Sequence, residues 1–157
     1  MNETIFEVEP CTQEVIAKRA FDARRDLVFK AYTNPRYYPE WWGPARLDTK
    51  VKRMDFKKGG QWQIIQRDKD GSEYIFDGVF HRIDAPNEIV YTMEYEGMPG
   101  HVSLDVIDFT EQDGKTLVTE RTIFQSVEDR ENMLKTGMEE GVRESFDRLE
   151  KLLGTIH

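Results

Sequence analysis

The sequence predicts an α+β fold in which a curved antiparallel sheet surrounds a long C-terminal helix. Short segments of alternating apolar and polar residues fill the middle of the chain, and closely spaced turns separate them. Near the end of the chain, apolar residues recur every three or four positions, which is the spacing of one face of an α-helix. Because short turns join consecutive strands, the sheet is predicted to be antiparallel.

The first part of the chain predicts one strand and two short helices. Residues 12–21 read as the first strand, and Asp22 is the expected N-cap of a helix from Ala23 to Thr33. Pro35 ends this helix, because the residue before a proline disfavours helical geometry. A short turn or helix over residues 36–42 follows, and a strand over residues 47–54 comes next.

The middle of the chain predicts a series of hairpins. Alternating residues indicate half-buried strands near residues 62–66, 89–95, 102–107 and 116–124. Turns rich in Gly, Pro and Asp lie between the strands, and the clearest hairpin signals are Asp70-Gly71 and Asp113-Gly114.

The C-terminal helix has an apolar stripe and a ridge of small residues beside it. The stripe consists of Leu134, Met138, Val142, Phe146, Leu149 and Leu153, and the ridge of Gly137, Gly141 and Ser145. Ser126 and Thr136 each begin an expected capping box, so a break in the helix is predicted near Thr136, and Gly154 is the expected C-cap. Glycine inside a helix is unfavourable by about 1 kcal/mol. The ridge therefore indicates either close packing or a space between helix and sheet.

Composition limits the classes of function. The chain has 157 residues and one cysteine, and it is predicted to form one domain over residues 12–154 after an N-terminal extension of residues 1–11. A net charge of -8 argues against nucleic-acid binding. The acidic N-terminus resembles neither a signal peptide nor a membrane span, and a lone cysteine suits a reducing compartment, so we expect a cytoplasmic location.

Four groups of residues, in this order and spacing, resemble those of a known family. They are Val28-Phe29-x-Ala31-x-Thr33-x-Pro35 with Trp41-Trp42-Gly43-Pro44; Asp55-Phe56-Lys57-Lys58-Gly59-Gly60-Gln61-Trp62; Gly78-Val79-Phe80-His81-Arg82-Ile83 with Pro86 and Ile89-Val90-Tyr91-Thr92; and Phe124-x-Ser126 with Gly137-Met138-Glu139-x-Gly141. Over residues 12–153 the chain resembles the AHSA1-like family (activator of Hsp90 ATPase homologue) of the START-like, or SRPBCC, superfamily.

The resemblance implies a helix-grip (START/Bet v 1-like) fold with an apolar cavity between the sheet and the C-terminal helix. Members of the superfamily include lipid carriers, hormone-binding proteins, polyketide cyclases and an antibiotic self-resistance protein, so the fold alone does not define the function. Relatives often carry a tryptophan just after the second helix glycine, where this chain has Val142. No ligand is therefore transferred from a relative.

Apolar residues on the predicted strands and helix are the candidates for ligand contact. A core role and a ligand-binding role are both open for each of them, and at least one of the adjacent tryptophans is expected to plug the core. The candidates are Trp41, Trp42, Trp62, Tyr91, Met93, Met138, Gly141, Val142 and Phe146.

Four polar residues in predicted strands are weaker candidates for catalysis: Asp77, His81, Glu120 and Arg121. Adjacent strand residues point to opposite faces, so only one of Glu120 and Arg121 points inward. The histidines lack metal-ligand spacing, and no nucleophile elbow or phosphate-binding loop is present in the sequence. Neither a metal nor a cofactor is expected.

Three functions remain open. The first is non-enzymatic binding of a small hydrophobic or aromatic molecule, as a carrier, a sensor or a sequestering protein. The second is a polyketide cyclase- or dehydratase-like enzyme that uses a buried polar residue. The third is an Hsp90-type co-chaperone or another protein-interaction module, and exposed sheet edges would also allow a homodimer.

Overall fold

Eight antiparallel strands form one curved sheet, in the order β1-β2-β8-β7-β6-β5-β4-β3. The computed structural model describes residues 2–156. The elements are β1 (Ile5–Glu7), β2 (Glu14–Phe21), α1 (Arg25–Thr33), α2 (Tyr38–Trp41), β3 (Asp48–Met54), β4 (Gln61–Arg67), β5 (Glu73–Asp84), β6 (Glu88–Tyr95), β7 (Val102–Gln112), β8 (Lys115–Ile123), α3 (Val127–Leu134) and α4 (Met138–Leu153). The predicted α+β helix-grip fold is confirmed.

The N-terminal segment contributes the edge strand of the sheet. The sequence sets residues 1–11 apart as an extension, and within it β1 pairs antiparallel with β2. Arg143 of α4 donates a hydrogen bond to the carbonyl of Thr4, which fastens the start of β1 to the helix. Met1, the first residue of that extension, lies outside the described residues.

Two β-bulges bend the far half of the sheet. The pairing register shifts between Val51 and Arg53, where β3 meets β4, and between Phe80 and Arg82, where β5 meets β6. A bulge adds one residue to one strand and increases its local bend and twist. The strands β3–β6 therefore curl toward the helices and give the sheet a concave inner face.

The inner face carries polar as well as apolar side chains. On the inner face of β7, Ser103, Asp105, Ile107 and Phe109 are buried, whereas on the outer face Val106 is buried and Leu104 only partly so. Alternation with a period of two identifies the two faces of a strand but does not say which one is inside. The inner face of β7 thus combines a hydroxyl and a carboxylate with two large apolar residues.

The two short helices cover one end of the concave face. Helix α1 begins at Arg25 with Arg24 as its N-cap and has no side-chain capping bond, so the predicted capping role of Asp22 is wrong. Helix α1 packs on β7 and β8, and α2 packs on α4 and β3. These contacts place Tyr32 and Tyr38 over the sheet.

The C-terminal region contains two helices, as the predicted break near Thr136 requires. Ser126 caps α3 as predicted, because its hydroxyl accepts a hydrogen bond from the Asp129 amide at 3.0 Å, but the Asp129 carboxylate contacts His101 instead of completing the first capping box. The second is wrong: Gly137, with a φ of 90°, is the N-cap of α4, and the Thr136 hydroxyl donates to the Met133 carbonyl instead. Gly154 is the C-cap of α4, as predicted.

Helix α4 is held by polar contacts at its edges and apolar contacts beneath. Buried Arg19 of β2 forms ion pairs with Asp147 at 2.6 Å and Glu150 at 3.2 Å. The Ser145 hydroxyl accepts a hydrogen bond from the Gly43 amide at 2.9 Å. Phe146 packs edge-on against Phe21, with ring centroids 5.6 Å apart. Within residues 2–156, no helix is long and apolar enough to cross a membrane.

The two glycines near the start of α4 should respond oppositely to alanine. A Cβ on Gly141 would meet no atom within 4 Å, so we expect Gly141→Ala to raise the free energy of unfolding by about 1 kcal/mol through helix propensity. Gly137→Ala should lower it by about 1–2 kcal/mol, because alanine is strained at positive φ. Urea denaturation of both variants measures the difference, and a destabilised Gly141→Ala protein would contradict the open surroundings of Gly141.

Candidate functional site

A small, largely apolar cavity lies between the sheet and the two short helices. Its volume is about 20 Å³, which is room for roughly one water molecule. Its walls come from α1, α2 and strands β3–β7, and they are formed by Tyr32, Tyr38, Met54, Trp62, Ile64, Phe80, Ile89, Tyr91 and Ile107. The sequence predicts a cavity between the sheet and the C-terminal helix, whereas this cavity lies under α1 and α2.

Three tyrosines supply the phenol groups of the cavity wall: Tyr32 on α1, Tyr38 on α2 and Tyr91 on β6. Burial raises the pKa of each phenol well above its ordinary value, and nearby carboxylates raise these pKa values further. Glu120 contributes this effect at Tyr32 and Tyr38, and Asp105 contributes it at Tyr91. All three phenols are therefore uncharged at neutral pH and can exchange hydrogen bonds.

Glu120 lies behind the first of these phenols. It sits on the inner face of β8, opposite Ala17 of β2 and Ile107 of β7. Its Oε2 accepts a hydrogen bond from the Tyr32 hydroxyl at 3.0 Å. Burial raises the pKa of Glu120 to about 7, the Tyr32 bond opposes this rise, and the charge of Asp105 adds to it. Near neutral pH this carboxyl can therefore both give and take a proton.

Asp105 is a second interior carboxylate. It accepts hydrogen bonds from Thr122 at 2.7 Å and from Ser103 at 3.3 Å. Burial raises the pKa of Asp105 to about 6, and the two hydroxyl bonds oppose that rise. Among the described residues, neither Asp105 nor Glu120 forms an ion pair. The buried cation on this face, Arg19, is engaged by Asp147 and Glu150 of α4.

Trp62 of β4 also lines the cavity. Its side chain is 5% exposed, and its ring meets Tyr91 edge-on, with centroids 5.7 Å apart. The indole Nε1 is buried and has no hydrogen-bond partner. Gly78 lies opposite Trp62 across β4 and β5, and a Cβ there would collide with the Thr92 carbonyl and lie 2.9 Å from Nε1. Only glycine at residue 78 leaves room for this indole.

Five of the predicted ligand-contact residues lie on the sheet, in α2 or directly after it. Trp62 and Tyr91 line the cavity. Trp41 is 1% exposed and donates through its Nε1 to the Ala31 carbonyl at 2.9 Å, so it plugs the core. Trp42 is partly exposed, stacks on Tyr38 and meets Phe76 edge-on. Met93 is partly buried on β6 against the core.

The four predicted ligand-contact residues on α4 lie away from the cavity wall. Phe146 is fully buried against Phe21, and Val142 packs at the edge of the core. Met138 is partly buried, and Gly141 has open space where a side chain would be. The ridge of small residues therefore faces open surroundings at Gly141 and a polar contact at Ser145.

Of the four polar candidates, Glu120 alone is brought to the interior. Asp77 lies on the outer face of β5 opposite Gln63 and Glu94. His81 falls in the β5 bulge and is exposed, and so is Arg121. Within residues 2–156, no group of three His, Cys, Asp or Glu side chains could hold a metal ion.

The sequence reasoning missed Asp105, Tyr32 and Tyr38 as site residues. For Asp105 the alternation was misleading, because Val102, Leu104 and Val106 make the other strand face look like the inner one; the usable signal was that Ile107 and Phe109 follow on the face of Asp105. The two tyrosines gave no local signal, since each reads as an ordinary helix-face aromatic. Only the packing of α1 and α2 onto the sheet brings their hydroxyls into the interior.

Comparison with known proteins places the chain among relatives of the same architecture. A family model described as Activator of Hsp90 ATPase homolog 1-like protein matches residues 22–154. No curated protein matches the chain at a significant level.

Solved structures of low sequence identity share the fold. The solution structure of a protein from Arthrobacter aurescens has a TM-score of 0.89 at 22% identity and covers 97% of this chain and 92% of its own. The crystal structure of a protein from Mycobacterium smegmatis has a TM-score of 0.88 at 23% identity and covers 99% of each chain. A protein from Staphylococcus epidermidis is 26% identical, with a TM-score of 0.80 over 94% of this chain and 93% of its own.

Proposed function

The chain belongs to the family of activator of Hsp90 ATPase homolog 1-like proteins, and on that premise we propose that it binds a small hydrophobic or aromatic molecule in its concave interior. The observation that carries this proposal is a mostly apolar cavity whose wall includes three phenols, with a carboxylate behind one of them. Ligand sites in proteins typically combine apolar walls with a few polar groups that fix orientation. The role would be that of a carrier, a sensor or a sequestering protein.

A ligand larger than one water molecule must displace side chains. Three residues on the inner faces of β5 and β6, Phe76, Met93 and Tyr95, are only partly buried, so the concave face is less tightly covered there. Met54 lines the cavity, and methionine adapts its shape at low cost. We propose that the ligand enters from this end and occupies the space between the tyrosines and Trp62.

Native mass spectrometry on gently purified protein tests the proposal. The protein would be measured alone and after incubation with fatty acids, flavonoids and aromatic polyketides. We expect a ligand of defined mass to be retained or selectively captured. If nothing binds across the panel, the interior is an ordinary core and a protein partner becomes the leading hypothesis. Adding the protein to purified Hsp90 and measuring the ATPase rate of Hsp90 would then test the activity named in the family description.

A substitution that fills the cavity should block capture. Ile89 is 2% exposed and lines the cavity, so Ile89→Phe should lower affinity for a captured ligand at least tenfold, with a stability loss of about 1–3 kcal/mol from overpacking. Gly141→Leu is the control, because its side chain would enter open space on α4. Isothermal titration calorimetry of both variants measures the two affinities. A loss of binding in the Gly141→Leu protein alone would show that the ligand site lies at α4.

An acid–base enzyme is the second candidate, and one observation favours it. Burial holds the pKa of Glu120 at about 7, and a phenol is in direct contact with it. In a dehydration, the ionised carboxylate would remove a proton from carbon, a C=C bond would form as the neighbouring C–O bond breaks, and the carboxyl group would return that proton to the departing hydroxyl, which leaves as water. The test is the turnover rate of an aromatic polyketide by the parent, Glu120→Gln and Glu14→Gln proteins. A rate that falls at least 100-fold in Glu120→Gln and stays unchanged in Glu14→Gln would establish an enzyme. Equal rates in all three proteins would exclude this role for Glu120.

The setting proposed for either role is the cytoplasm. Cys11 is exposed and free, which suits a reducing compartment. β1 and β3 are the outer strands of the sheet order, and pairing of either edge with a second copy would give a homodimer. Light scattering at two protein concentrations distinguishes a monomer from such a dimer.

A further inference from the structure

We propose that the interior site selects ligands carrying a cationic or neutral hydrogen-bond donor and rejects ligands that are carboxylates. This inference rests on the proposed function, since it specifies what the same interior would accept. It follows from two features, the charge of the inner face and the free acceptor capacity of Glu120, while the unpartnered indole of Trp62 offers a donor to an uncharged acceptor on the same ligand.

Within residues 2–156, the inner face carries two carboxylates and no cation that is free of an ion pair. Asp105 and Glu120 both point inward and have no ion-pair partner among the described residues. Arg19, the buried cation on the same face, already pairs with two carboxylates of α4. A carboxylate ligand would add negative charge where solvent screening is weak, whereas a donor or a cation would meet an acceptor.

Glu120 has acceptor capacity left over. A carboxylate offers about four acceptor positions, and the hydrogen bond from Tyr32 occupies one of them. The residue is only partly buried, and its bonding partner Tyr32 lines the cavity, so Glu120 lies next to the cavity wall. Asp105 is better satisfied, because Thr122 and Ser103 both donate to it. Glu120 is therefore the group left to receive a donor from a ligand.

Trp62 supplies the complementary donor. Its Nε1 is buried in the cavity wall with no acceptor in the protein, and an unpaired buried donor is unfavourable. Tyr91 contacts this indole and lies directly across from Asp105 in the β6–β7 register. Trp62, Tyr91 and Glu120 thus lie on the same face of the sheet but at different levels along the strands, and a ring system with a donor and an acceptor at separate positions would meet both kinds of group.

Three probes with one aromatic frame test the selection: 1-naphthylmethylamine, 1-naphthalenemethanol and 1-naphthoic acid. Binding would be measured at pH 7.5 by ligand fluorescence and by protein-observed NMR. We expect the amine and the alcohol to bind at least tenfold more tightly than the acid. In Glu120→Gln, the amine should lose at least tenfold in affinity and the acid should gain. Glu14→Gln, the same substitution on the outer face of β2, should leave all three unchanged.

The outcomes separate this inference from the proposed function. If the acid binds as tightly as the amine or more tightly, the selection is overturned while interior binding stands. If none of the three binds at millimolar concentration, both are overturned. The comparison of the three probes on the parent protein needs no variant, so it decides the selection even if Glu120→Gln fails to fold.

Discussion

Replacing Glu120 with glutamine should make the protein increasingly more stable than the parent as the pH rises from 4 to 8. Burial raises the pKa of Glu120 in the folded protein to about 7 from an ordinary value of 4.5. Between these two values the folded state binds more protons than the unfolded state, so the free energy of unfolding falls as the pH rises. Glutamine does not titrate and removes this fall.

The expected size follows from the shift. One pKa unit corresponds to about 1.4 kcal/mol, so the advantage of the glutamine variant should grow by up to about 3 kcal/mol between pH 4 and pH 8. Most of the change should be complete near pH 7. Below the unfolded-state pKa the carboxyl is protonated in both states, and no pH-dependent difference remains there.

Urea denaturation at a series of pH values measures this difference directly. The Glu14→Gln protein is the control, because it makes the same substitution on the outer face of β2 and should follow the parent. A constant difference between the Glu120→Gln protein and the parent at every pH would contradict an interior carboxyl. Asp105→Asn should show the same behaviour at lower pH, because the pKa of Asp105 is raised only to about 6.

The two adjacent tryptophans should differ sharply in their contribution to stability. Trp41 is 1% exposed, packs on Tyr32 and Tyr38, and donates to the Ala31 carbonyl. We expect Trp41→Ala to lower the free energy of unfolding by about 3–5 kcal/mol through lost burial and a cavity. Trp42 is partly exposed, and Trp42→Ala should lower it by about 1–2 kcal/mol.

Thermal and urea denaturation of the two variants provide the comparison. The two tryptophans are adjacent in the sequence and receive the same substitution, so each variant is the control for the other. Equal destabilisation by both substitutions would show that the second tryptophan also plugs the core. Trp42 meets Phe76 at the less covered end of the concave face. We therefore expect Trp42→Ala to weaken ligand capture as well, and more strongly than it lowers the stability of the protein.

Apart from β1, which lies in the segment set apart as an N-terminal extension, the sequence predicted the order and type of the elements because their signals are local. The Asp70-Gly71 and Asp113-Gly114 turns, the alternation along β6 and the stripe on α4 each depend on neighbouring residues. Capping was less predictable. Ser126 caps α3 as predicted. The N-cap of α4 is Gly137, which follows Thr136 and has a positive φ, so the Thr136 hydroxyl instead donates a hydrogen bond to the Met133 carbonyl.

The site was less predictable because it is assembled from distant segments. Adjacency along β8 showed that only one of Glu120 and Arg121 could point inward, but the choice depends on how the sheet curls around the helices. The contact between Tyr32 and Glu120 joins residues 88 positions apart. Glycines on α4 suggested a space beside that helix, whereas the cavity lies under α1 and α2.

The most direct test of an interior ligand site is the NMR spectrum of labelled protein during titration with a ligand captured in the mass-spectrometry panel. We expect the indole signal of Trp62 and the methyl signals of Ile64, Ile89 and Ile107 to shift together and to show contacts with ligand protons, because these residues line one cavity. Shifts confined to the outer face of the sheet, or to α4 around Met138 and Gly141, would contradict the account.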